Sequence, residues 1–281
     1  MLSINMMSFP EGKSKALTLS YDDGVLQDKR LILLMNKYGI KGTFNLNSEI
    51  IGKVRSMTVD GIDINTSTVS EDEILELYKN HEIATHGSKH SALTGLGASA
   101  LQEIIDDRIY FENLLCYMVR GHAYPFGLYD DNVISMLKTA GICYARTVKS
   151  TKTFDIPENF LEWNPTCHHS DKDLILLAEK FCTQNALFNK PELFYLWGHS
   201  YEFDQFSNWN VIEEFFEYIS KFSKNIWFAT NIEVVDYINA YKNLIYSADG
   251  NKVFNPSIQT VWLNCTGKII SIPSNKTVCI S

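Results

Sequence analysis

No uninterrupted apolar run in this sequence approaches the roughly eighteen to twenty residues that a helix needs to cross a bilayer, so no membrane span is expected. The opening, MLSINMMSFPEGKSKAL, has no basic segment followed by an apolar stretch and a small-residue cleavage site. On that absence the expected location is the cytoplasm, provided that no leader has been removed. There is also no Lys/Arg block of the kind that tracks a phosphate backbone: 25 basic residues face 33 acidic ones, a formal net charge of −8, which argues against nucleic acid as a partner. The six cysteines include no C-x-x-C pair, and a chain of 281 residues does not need a disulfide framework. They are expected to be reduced and mostly buried. Internal repeats, low-complexity tracts and linkers are missing too, which speaks against a separate second domain.

What is present is a chain that is 45% hydrophobic, ample for a real core. Runs rich in β-branched and aromatic residues alternate with stretches of helical apolar spacing, the mark of repeated βα units. Residues 15–20, 42–46, 82–85, 117–124, 143–148, 193–197 and 226–230 read as strands. Helices are read at 25–38, 70–79, 98–116, 131–140, 171–181, 211–222 and 231–241. About seven such units predict a barrel of parallel strands occupying residues 1–245, with its chemistry at the carboxyl ends of the strands. Past residue 245 the DG and TG pairs at 249–250 and 266–267 punctuate strand-like segments, so 246–281 reads as a small β-hairpin extension packed on the barrel.

Four clusters follow predicted strands. Asp22-Asp23-Gly24 places two carboxylates where a strand must end, because successive residues of a regular strand face opposite ways. Adjacent carboxylates are costly to hold as anions without a cation, which suits one as metal ligand and the other as base. His86 and His90, at i and i+4, put two imidazoles on one side of a helical turn, a common metal-binding spacing. The segment HAYPFG (122–127) forces a tight turn that can point backbone N–H groups, that of Phe126 among them, into a cavity. Leu196-Trp197-Gly198-His199 delivers an imidazole from an apolar strand. Singly, each has a plain structural reading; together they share one address and complementary contents.

In this order the clusters resemble the polysaccharide deacetylase family, the NodB-homology or carbohydrate esterase 4 type. SYDDG is similar to its T-F-D-D-G motif, HGSKH to H-[ST]-x-x-H, AYPFG to R-x-P-Y-G, and WGH to L-x-L-H, over about residues 15–241. The resemblance implies a deformed (β/α) barrel in which Asp23, His86 and His90 hold one divalent metal ion, with zinc expected and cobalt, nickel or iron as alternatives. It also implies Asp22 as general base, His199 as general acid and an N- or O-acetylated carbohydrate as substrate. Three departures stand out. The family arginine ahead of P-Y-G is missing near Ala123 and Tyr124, P-Y is P-F, and no D-x-x-D-W follows CYARTV.

Arg146, late in that predicted strand, is therefore expected to orient Asp22, since a guanidinium can bind one carboxylate oxygen and leave the other free. Arg120 is the rival assignment, earlier in its own strand. Tyr21, Tyr124, Trp163 and Trp197 are candidates for a sugar pocket, with His168 and His169 beside Trp163. Two other readings of the residues compete: a non-haem iron enzyme using the same His/His/Asp set, and a catalytically silent sugar-binding protein. Oligomeric state is not legible.

Overall fold

The computed structural model describes residues 5–184 and 190–280. The first four residues of the unit expected over 1–245 lie outside them. Eight strands, β1 (Lys15–Asp22), β2 (Thr43–Leu46), β3 (Glu82–Thr85), β4 (Gly121–Ala123), β5 (Tyr144–Arg146), β6 (Cys167–His168), β7 (Glu192–Gly198) and β8 (Ile226–Phe228), form one sheet in the order β5-β4-β3-β2-β1-β7-β6. Strand β8 lies beside the first half of β1, and β2 beside its second half. All the pairings are parallel. The two ends of the sheet approach each other, because Arg146 in β5 forms a parallel bridge with Trp163, and the chain runs on from there into β6. The result is a deformed (β/α) barrel, as the alternation of patterns predicts.

Alternation along β1 shows how the sequence divides inside from outside. Leu17, Leu19 and Tyr21 join the apolar layer between sheet and helices. The intervening side chains face the barrel interior, which is polar: Thr18 Oγ1 donates to Asn231 Oδ1 at 2.7 Å, Asn231 Nδ2 to the Tyr195 hydroxyl at 2.7 Å, and that hydroxyl to Ser20 Oγ at 3.0 Å. Glu82 accepts from Tyr144 at 2.7 Å and from Thr43 at 2.8 Å. Such a ladder replaces the layered aliphatic filling usual in (β/α) barrels. It leads upward to Asp22 at the end of β1.

Element boundaries shift from the sequence reading for local reasons. Helix α1 spans Asp28–Lys37 rather than starting at Val25, which is drawn into an antiparallel bridge with Thr68. Helix α2 (Glu71–Leu77) starts from Ser70 with a complete capping box closed by Glu73. Helix α3 (Ala98–Leu115) stops on Cys116, which takes a left-handed conformation. Among the elements not foreseen are β6, too short to show a pattern; a hairpin of Ser56–Val59 with Ile62–Asn65; a strand at Asn5–Ser8; and a single helical turn at Glu202–Gln205.

That first strand pairs with Val261–Cys265, which in turn pairs with Lys268–Ile272. Lys252–Asn255 lies between Ile245–Tyr246 and Lys276–Cys279 in a second antiparallel sheet. Leu244, Val253, Val261, Leu263 and Ile272 make a small core of their own with Ala240. All six cysteines are free thiols; contrary to expectation only Cys167 and Cys265 are buried. Among the described residues no helix is long and apolar enough to cross a membrane.

Candidate active site

Strand β1 carries Asp22 to the rim and then has to turn. Asp23 and Gly24 do this with positive φ angles of 77° and 62°, so that the adjacent carboxylates no longer oppose each other across a strand. A side chain on Gly24 would meet Leu46 Cδ2 at 2.7 Å. Positive φ recurs at His90 (57°) and Phe126 (58°), a cost of about 1 kcal/mol or more for each non-glycine residue and one that gathers at functional sites. Behind His86, the loop is pinned by Asp107, which accepts from the N–H groups of Ser48 and His86 at 2.7 and 3.0 Å, and by Asn47, whose amide donates to the carbonyls of His86 and Gly87.

Asp23, His86 and His90 bring one ligand atom each to within 4.8 Å of one another. His86 Nδ1 lies 2.8 Å from the Ala123 carbonyl, which can only accept, so Nδ1 carries the hydrogen and Nε2 presents its lone pair. That lone pair faces Asp23 Oδ1 at 3.9 Å, and His90 Nε2 faces the same oxygen at 3.8 Å. Burial pushes the His86 ring down to about 4, against the pull of Asp22 and Asp23, so it is neutral at pH 7 and free to ligate. One carboxylate and two imidazoles fit a divalent ion of the zinc type.

Asp22 is almost fully buried and sits at the centre of the charged groups. Its Oδ2 accepts from Arg146 Nη2 at 2.5 Å and lies 3.8 Å from His86 Nε2 and 3.6 Å from His199 Nε2. Its Oδ1 accepts from Asn45 Nδ2 at 2.7 Å. Burial alone would raise this carboxyl; Arg146, then His86, His199 and Asn45, outweigh it and bring the group down to about 2. Burial also works against a charged His199, yet Glu202, Asp22 and Asp23 raise it to about 9. Arg146 is itself clamped, with its guanidinium 4.2 Å over the Trp197 ring.

The structure thus gathers Asp22, Asp23, His86, His90, His199, Arg146 and Trp197, with the Phe126 ring 4.6 Å from that of His90 at the rim. The other aromatic candidates are packed in the core, with Trp163 lining a cavity beside Glu158, Asn159 and Tyr195. Tyr21 is buried between Phe44, His169 and Phe203; Tyr124 stacks on Tyr129 and donates to the Leu161 carbonyl; Trp163 packs among Tyr144, Phe160 and Tyr195. Each is 1% exposed, because large apolar rings serve the core here. Arg120 points away and pairs with Asp236 at 2.6 Å. Asn45 and Glu202 were missed by sequence reasoning. A polar residue inside the apolar strand TFNL, and an acid three places after His199, were the available signals.

A sequence profile of the polysaccharide deacetylase family matches residues 10–145. A search among curated proteins gives no sequence match. Among solved structures, a protein of Mycobacterium smegmatis assigned to the polysaccharide deacetylases is similar with a TM-score of 0.59 at 16% identity, over 84% of this chain and 94% of the other. A family 4 carbohydrate esterase of Streptomyces lividans, solved with acetate, gives 0.47 at 11% identity over 76% and 92%. A family 4 pseudoenzyme of Bacillus anthracis gives 0.48 at 14% identity over 82% and 68%. The profile spans the two carboxylates, the two histidines and the P-F-G turn in that order, so residues 10–145 match a polysaccharide deacetylase domain.

Proposed function

We propose that the protein removes acetyl groups from an N- or O-acetylated carbohydrate in a metal-dependent hydrolysis. The observation that carries this reading is the division of labour between neighbouring carboxylates: Asp23 faces both His86 and His90, whereas Asp22, 3.8 Å from His86 alone of the two, is buried and held 2.5 Å from Arg146 and 3.6 Å from His199. Asp23, His86 and His90 would hold one divalent ion, zinc by preference with cobalt, nickel or iron as alternatives, supplying a Lewis acid for the acyl oxygen and for water.

The residues of the chain do the rest. Asp22, kept ionised by Arg146, accepts a proton from the attacking water as the new C–O bond forms. The Phe126 N–H donates to the acyl oxygen as charge gathers there. His199 gives its proton to the departing amine or alkoxide as the C–N or C–O bond breaks. Acetate and the deacetylated sugar leave, and the proton held on Asp22 restores the pair. Trp197, fixed beneath Arg146, would form the wall of the sugar site.

The test is acetate release from a panel of N- and O-acetylated oligosaccharides by protein loaded with zinc and by protein stripped with chelator. Release that depends on the metal is expected. Oxygen consumption without acetate would favour a non-haem iron enzyme, and saturable glycan binding without turnover a silent sugar-binding protein; either would overturn the reading.

A further inference from the structure

Beside the first cluster lies a second one of similar composition, in which His168, His169 and Glu202 converge within 4.8 Å. Its hydrogens are arranged differently. The Ser170 N–H donates to His168 Nδ1 at 3.2 Å, so that nitrogen is the acceptor and Nε2 bears the hydrogen. A nitrogen bearing hydrogen donates and does not ligate. His168 Nε2 stands 3.1 Å from Glu202 Oε2, and His169 Nε2 3.0 Å from the same oxygen. His86 shows the reverse pattern, with its Nδ1 against a carbonyl and its Nε2 free. The second cluster is therefore a carboxylate clamped by imidazole donors rather than a second metal centre.

The clamp bears on His199. Its backbone N–H donates to Glu202 Oε2 at 3.3 Å, in the manner of a capping box across the turn, and its Nδ1, buried and with no hydrogen-bond partner among the described residues, stands 3.5 Å from Oε1 as the nearest acceptor. Its Nε2 faces Asp22. The charged or titratable groups around this ring are Asp22 and Asp23 from the end of β1, His168 and His169 from β6 and the residue after it, and Tyr201 and Glu202 from its own segment.

We propose that Glu202, held by His168 and His169, is a positioning residue for His199: it takes the Nδ1 hydrogen and thereby directs Nε2 toward Asp22 and the bond to be broken. This rests on the function proposed above for His199. Glu202 suits the task because its own charge is secure. Burial opposes it, but the three imidazoles hold the carboxyl well below its usual range. The ring between two carboxylates is correspondingly raised.

Imidazole 15N NMR of the whole chain, with and without zinc and without substrate, reads this directly, and its outcome stands whether or not acetate is released. In the wild type the neutral His199 ring is expected to carry its hydrogen on Nδ1. In Glu202→Gln the His199 titration should fall by about one pH unit or more, and kcat at pH 8 by about tenfold or more, with KM within about twofold. A neutral ring protonated on Nε2 in the wild type overturns the proposal even if the variant does not fold. So does an unmoved His199 titration in Glu202→Gln, or a second equivalent of bound zinc that this variant loses.

Discussion

Asp22 and Asp23 are neighbours in sequence but differ in what surrounds them. Asp22 is sealed in with a guanidinium, and the side chain of Asp23 is part-exposed opposite two imidazoles. Removing Arg146 leaves a buried carboxylate without its cation, so Arg146→Met should destabilise the fold by about 3–5 kcal/mol. Thermal or denaturant unfolding checks this, and a loss under about 1 kcal/mol would mean that the pair contributes little. Because the Asp22 pKa is depressed to about 2, its stabilisation is complete above the unfolded value near 4 and disappears as the pH falls toward 2. An acid limb of the rate profile near pH 4 is accordingly expected to survive in Asp22→Glu, since it belongs to His86, pushed down to about 4 by burial. The alkaline limb is assigned to His199, raised to about 9: its charged form is full below the unfolded value near 6.5 and lost as the pH rises through 9. The rate should hold to about pH 8 and then decline, and an alkaline limb unchanged in His199→Ala would assign it to another group.

At the scale of elements, the site is legible where the chemistry is local. Two carboxylates at a strand end, histidines four apart and a P-F-G turn state their purpose within a few residues, because each strand of a parallel barrel ends at the same rim. Glu202 and Asn45 were not legible, since their value depends on what tertiary folding sets opposite them. Tyr21 shows the converse: an aromatic ring next to a motif is equally at home beneath it. Gly198 shows how tightly the second layer is built, as a Cβ there would lie 2.1 Å from His169 Nδ1. Gly198→Ala should therefore expel His169, at a cost of about 1–3 kcal/mol, and loosen Glu202. A melting temperature and His169 ring resonances equal to wild type would show that the packing has slack.

Taking the molecule whole, the barrel and the C-terminal strands share a boundary. The Tyr237 hydroxyl donates to the Ser8 carbonyl at 2.6 Å and accepts from the Trp262 N–H at 2.9 Å, and the strand at Asn5–Ser8 completes a sheet formed otherwise by residues 261–272. We propose that the segment from 246 onward folds with the barrel as one cooperative unit. A single calorimetric transition is expected for the full chain, and truncation at 245 should lower its midpoint by several degrees or leave insoluble protein; two separate transitions would contradict this. The central claim is that neighbouring carboxylates divide the work, one holding the metal and one the proton. Its most direct test measures bound zinc and acetate release side by side in wild type, Asp22→Asn and His86→Ala. The account predicts that Asp22→Asn keeps its zinc while kcat falls by about 10² to 10⁴-fold, and that His86→Ala loses both; an Asp22→Asn protein that hydrolyses at the wild-type rate, or that has lost its metal, would contradict it.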